Sequence, residues 1–160
     1  MRRAVLAVFA ACALAKPAHA SGEPLPGVVR YAKQAAFEDV REDLSIAIQN
    51  RGLAPDLTSR IHDMLQRTGK DLGDAAPLFG NAVAYSFCSA AVSRAIMAAD
   101  PHNVVFCPFT VIAYAPLNEP GKVYVAYRRP PAAADAKSNA ALRKLEALLD
   151  GIAREAVGMP

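Results

Sequence analysis

The stretch 104-VVFCPFTVIAYAPLNEPGKVYVAY-127 decides how this chain folds. Residues 104–115 are rich in Val, Phe, Ile and Tyr, and are interrupted near Pro108, which has no amide hydrogen to give a ladder. Residues 117–121 supply Asn118, Pro120 and Gly121, a turn composition, and residues 122–127 then alternate as a returning strand. Two β-rich runs joined by so short a turn predict an antiparallel hairpin. Upstream, residues 82–88 mix Val, Tyr and Phe in one compact run, preceded by Gly80 and Asn81 and followed by the cap-type Ser89. That order predicts a strand feeding a helix, with Val92, Ala95, Ile96 and Ala99 on one face and a stop at Asp100-Pro101.

Further from the hairpin the periodicity turns helical. Phe37, Val40, Leu44, Ala47 and Ile48 recur on one face within residues 35–50, Glu38, Asp39, Glu42 and Asp43 point elsewhere, and Gly52 ends the run. Residues 28–33 suit a first strand. Residues 53–73 allow two readings: a helix capped by Asp56 or Thr58, running through Ile61, Met64 and Leu65 to Gly69, or a short strand before such a helix. After Pro130-Pro131 an Ala-rich linker leads into a helix over residues 139–157, striped by Leu142, Leu145, Leu148, Leu149 and Ile152. Such an amphipathic helix gains its stability by docking its stripe on other elements. Helices interspersed with strands, without regular βαβ repetition, predict an α+β two-layer sandwich: a mostly antiparallel sheet of about four to five strands packed by helices, plus the C-terminal helix.

The N-terminus reads as an export signal. Arg2 and Arg3 precede an apolar run over residues 4–15, too short to span a bilayer, and Ala18-His19-Ala20 fits the small-residue pattern cut by signal peptidase. The expected organisation is a signal peptide over residues 1–20, a lead-in with a first strand over residues 21–34, the α+β domain over residues 35–130, and the linker with its helix over residues 131–160. The expected location is periplasmic or secreted, with no membrane span after cleavage. Arg2, Arg3 and Lys16 are three of 18 basic residues, and their removal leaves 15 against 15 acidic ones. The mature chain is then formally neutral, and no basic block resembling a nucleic-acid footprint remains.

Several of these residues together carry a resemblance. Ile61-His62-Asp63, the strand end Phe87-Cys88, the helix end Ala99-Asp100-Pro101, Cys107-Pro108-Phe109, Val111-Ile112-Ala113-Tyr114 and Gly121-Lys122-Val123-Tyr124-Val125 make a phrase that resembles the bacterial family called domain of unknown function 302. The similarity runs from Ile61 to Pro130, with the helix of residues 37–50 where the family has its first helix. Cysteine here stands where many members carry an apolar or Gly-Asn-Pro-type strand end, and the C-terminal helix is longer. Membership implies a small two-layer α/β fold and no assigned activity.

Three cysteines are present, and Cys12 falls in the signal, so Cys88 and Cys107 remain as an even pair in a compartment where disulfides form. One reading makes them a structural disulfide or small packed hydrophobes. The other makes Cys88, one residue before a helix cap that favours a thiolate, a nucleophile, redox thiol or soft metal ligand. His62, with Cys88 and Cys107, is the alternative metal set, although the spacing matches no compact zinc pattern. Tyr124 and Arg128 on the hairpin are candidate ligand contacts. No G-x-S-x-G elbow, G-x-G-x-x-G or Walker pattern occurs, so hydrolase and nucleotide chemistry lack a sequence basis. Two functional classes follow: a non-enzymatic exported module binding a small ligand or a periplasmic protein, or a thiol-redox or metal protein using Cys88 and Cys107 with His62. The sequence names no cofactor, and a homodimer is compatible with it.

Overall fold

The computed structural model describes residues 25–160. The expected signal peptide and the first residues of the lead-in fall outside them. The elements in chain order are β1 (Val28–Gln34), α1 (Phe37–Gln49), β2 (Leu57–Arg60), α2 (Ile61–Asp71), β3 (Asn81–Phe87), α3 (Ala90–Ala99), a 3-10 turn (Pro101–Phe106), β4 (Phe109–Ala115), β5 (Lys122–Arg128) and α4 (Ala136–Ala156). Five strands form one sheet in the order β1-β5-β4-β3-β2, and every neighbouring pair is antiparallel. The chain is thus an α+β domain of the expected architecture, with its hairpin β4–β5 at the sheet centre.

Alternation along the strands sorts the side chains into two faces. Val83, Tyr85 and Phe87 of β3, Phe109, Val111 and Ala113 of β4, and Val123, Val125 and Tyr127 of β5 form one side of a single buried cluster. The other side of that cluster is helical: Val40, Leu44, Ala47 and Ile48 of α1, Ile96 of α3, and Leu142, Leu145, Leu149 and Ile152 of α4. These are the stripes that the helical periodicity picks out. Ala82, Ala84, Ile112, Tyr114, Tyr124 and Ala126 point to the opposite face, where α1, α3 and α4 do not reach.

One buried polar residue ties the helical layer together. Asn103, in the 3-10 turn, donates from Nδ2 to the Ile96 carbonyl (2.9 Å) and to Ser138 Oγ (2.8 Å), joining α3 to the start of α4. Asn103→Ala should therefore lower unfolding stability by about 1–3 kcal/mol, because it leaves a buried carbonyl and hydroxyl without their donor. Chemical denaturation with an unchanged m-value would measure this; a loss below about 0.5 kcal/mol would show that water replaces the amide.

Four local expectations are corrected. Residues 53–73 hold both a strand and a helix, and α2 is capped at neither Asp56 nor Thr58: Thr58 lies in β2, the Asp56 amide donates to the Ser86 carbonyl, and Arg60 precedes the helix without a side-chain cap. Nor does the helix end at Gly69. It continues to Asp71 and turns at Gly73, whose φ is +76°. Gly69 serves a close approach instead, since a Cβ there would collide with the Asp74 carbonyl oxygen while the Asp74 amide bonds back to Gly69. Residues 104–106 form the 3-10 turn rather than the start of a strand, because Asp100 caps that turn by accepting from the His102 amide and Pro101 begins it. Finally, Cys88 falls one residue beyond β3, not within it.

Candidate functional site

Among the described residues, two places bring chemically distinctive side chains together: the sheet face opposite α1, α3 and α4, and the corner where β3 leaves and β4 begins.

On the face opposite α1, α3 and α4, three alanines lower the sheet surface. Ala82 pairs with Tyr114, Ala84 with Ile112, and Ala126 with Ile112 from the other side. The small side chains leave a groove of about 440 Å³, floored by Ala82, Ile112, Tyr114 and Ala126 and walled by Ile61 and Phe79. This lies within the range of roughly 300–1,000 Å³ common to small-molecule sites, and its lining is predominantly apolar. Val28 and Arg128, register partners on β1 and β5, stand at one end together with Thr110. Thr110 and Arg128 also border a second hollow of about 280 Å³ between β4, β5 and α4. Arg128 is exposed and makes no ion pair among the described residues, whereas its neighbour Arg129 is held by Glu146 at 2.6 Å.

Tyr124 lies on this face too, but its surroundings are filled. It stacks on Tyr114 at 5.3 Å with the rings 16° apart, and the Arg30 guanidinium and Lys122 ammonium sit 5.3 and 5.4 Å from its ring centre. Its hydroxyl donates to Glu119 Oε2 at 2.8 Å, the oxygen that Lys122 also contacts at 2.8 Å. The hydrogen bonds from Lys122 and Tyr124 hold the Glu119 carboxyl below the usual carboxylate range. Of the two hairpin residues singled out from sequence, Arg128 thus borders the groove and Tyr124 supports its floor from beside Tyr114.

At the strand corner, Phe87 pairs with Phe109 in the last rung of β3–β4. Cys88 directly follows the first, Cys107 lies two residues before the second with a cis Cys107-Pro108 bond between them, and the two sulfurs face each other at 2.8 Å. Ser86 and Thr110 hydroxyls meet at 3.1 Å one rung inward, and Ser93 Oγ of α3 lies 3.7 Å from the Cys107 sulfur. Cys88 is exposed; Cys107 is half-buried. The expected thiolate character of Cys88 is not found. Its hydrogen bond with the Cys107 thiol, then loss of solvent around the sulfur, then the charge of Asp56 push the thiol up to about 11. Ser89 is the cap of α3, accepting from the Val92 amide, and Cys88 stands outside the turn whose dipole would favour an anion.

His62 belongs to α2 and does not join the sulfurs: among the described residues no three or more His, Cys, Asp or Glu side chains are grouped so as to hold a metal ion. The structure therefore does not bring the alternative metal set Cys88, Cys107 and His62 together. Among the same residues, no helix is long and apolar enough to cross a membrane.

A central antiparallel hairpin, three helices on one face and a shallow apolar groove on the other define a two-layer α+β sandwich. The chain belongs to the family of domain of unknown function DUF302, whose model matches residues 29–156, from β1 through α4. It is similar in fold to the crystal structure of an uncharacterized conserved DUF302 protein from Bacillus stearothermophilus, with a TM-score of 0.68, 13% identity, and coverage of 82% of this chain and 99% of that one. No curated protein matches the chain.

Sequence reasoning did not single out Ile112, Ala126, Phe79 or Asp56 as site residues. Strict alternation in β4 and β5 already separates Ile112 from Val111, but only the strand order reveals which of the two faces lies outside the helical layer. Asp56 is thirty-two positions from Cys88, and reaches it only because β2 pairs with β3.

Proposed function

We propose that the domain is a non-enzymatic exported module that holds a small amphipathic anion in the groove on the sheet face opposite α1, α3 and α4. The observation that supports this is Arg128, which makes no ion pair among the described residues, at the end of an apolar groove of about 440 Å³. An apolar body over Ile112 and Ala126 is removed from water at about 25 cal/mol per Å² of covered apolar surface, and an anionic end meets a guanidinium that has no carboxylate to give up. Export follows from the charged, apolar and small-residue segments of residues 1–20.

The test uses 1-anilinonaphthalene-8-sulfonate as the probe, titrated by fluorescence into native protein whose near-ultraviolet dichroism is intact. Saturable binding is expected, weakened about tenfold by Arg128→Gln and abolished by Ile112→Asp, which puts a charge on the groove floor. Absence of saturable binding, or equal binding by all three proteins, would overturn the reading.

A further inference from the structure

We infer that Cys88 and Cys107 form a disulfide open to exchange with external thiols, in which Cys88 is the sulfur attacked and Cys107 the sulfur released. This rests on the strand corner and not on the groove, so either can fail without the other.

The register of the ladder supplies the proximity. Because Phe87 and Phe109 are paired, Cys88, next after Phe87, and Cys107, two residues before Phe109, lie at the same end of the sheet, and the sulfurs, 2.8 Å apart, need only a small side-chain rotation to reach a bond of about 2.05 Å. Oxidation requires a partner disulfide. The Cys88 and Cys107 thiols lose two protons and two electrons to it, one S–S bond forms in the protein, and the partner's S–S bond is reduced to two thiols.

The reverse direction is asymmetric in its surroundings. An external thiolate approaches from solvent, and Cys88 is the exposed sulfur while Cys107 is half-buried. Attack on Cys88 forms a mixed disulfide there, breaks the Cys88–Cys107 bond and leaves the electron pair on Cys107. The Ser93 hydroxyl, 3.7 Å from that sulfur, can donate to the departing thiolate. Departure from Cys88 instead would place the negative charge beside the Asp56 carboxylate, whose charge opposes ionisation of Cys88. A second external thiolate then takes the external sulfur of the mixed disulfide, leaving Cys88 as a thiol. Exposure and the two neighbouring polar groups therefore select the same sulfur.

The experiment treats the oxidised, folded protein with reduced glutathione, quenches with acid at intervals, and locates the glutathione adduct by peptide mass spectrometry. At least a tenfold excess of adduct on Cys88 over Cys107 is expected, with exchange slowed several-fold by Ser93→Ala. Asp56→Asn should shift adduct toward Cys107. Full reduction should also lower the melting temperature by roughly 10 °C, the effect of opening a closed loop of this length. Recovery of the folded protein with two thiols that a small disulfide oxidant does not join, or an adduct chiefly on Cys107, would overturn the inference.

Discussion

Phe87→Ala should be the most damaging single substitution in the sheet, lowering unfolding stability by about 3–5 kcal/mol and the melting temperature by roughly 10–15 °C. Phe87 is completely buried, and its ring meets Phe109 edge-on at 6.3 Å and 80°. Truncation removes the transfer free energy of an aromatic side chain and the aromatic pair, and opens a void in a close-packed core that cannot collapse to fill it. Against a total of about 5–15 kcal/mol for a typical domain this is a large share. Phe87→Met, which keeps most of the volume, should cost about 1.5 kcal/mol. Val105→Ala is the useful comparison: that residue is equally apolar but 76% exposed, and its loss should stay within about 0.5 kcal/mol. Denaturation of fully reduced protein keeps the neighbouring sulfurs out of the comparison. A Phe87→Ala loss below about 2 kcal/mol would mean that the β3–β4 end is not packed as described.

The contrast between Phe87 and Val105 also marks what was legible from residues alone. Both stand in β-rich apolar text, and composition does not separate them. What separates them is punctuation: Asp100-Pro101 starts a 3-10 turn that carries Val105 into solvent, and Asp100 secures it through a hydrogen bond between near neighbours, which a reading by propensity overlooks. The strands flanking Gly121 and the stripes of α1 and α4 were legible because local period and burial agree there: Val40, Leu44, Leu145 and Ile152 fall where the helical repeat puts them. The groove was not, because a half-buried Ile112 and a core-facing Val111 differ only in which side of the sheet the helices cover. Asp56 beside Cys88 and Asp150 beneath two tyrosines are likewise products of long-range pairing, with no local signal.

Asp150 carries the second large effect. Its Oδ1 accepts from the Tyr31 hydroxyl at 2.5 Å and from the Tyr127 hydroxyl at 2.9 Å, so a single carboxylate on α4 anchors two strands, β1 and β5. Tyr127 is buried, and removing the acceptor with Asp150→Ala strands its hydroxyl while Tyr31, half-exposed, can turn to water. The expected loss is about 2–3 kcal/mol, near that of one charge-assisted hydrogen bond plus one orphaned donor. Asp150→Asn keeps an acceptor but not the charge, and should recover part of it. The pair also sets an alkaline limit. Burial first, then the hydrogen bond to Asp150, raise both tyrosines above their ordinary value, Tyr127 the more strongly. In the unfolded chain they release protons near pH 10, while the folded chain still holds them, so the unfolded state binds fewer protons and stability falls as pH rises above about 10. Below that pH the contribution is fully present. Ultraviolet titration of the native protein should therefore show Tyr31 and Tyr127 ionising later than free tyrosine, and Asp150→Ala should lower both transitions in part, burial keeping the rest of the shift. A transition that Asp150→Ala leaves unchanged would mean that its hydroxyl does not share the Asp150 oxygen in solution.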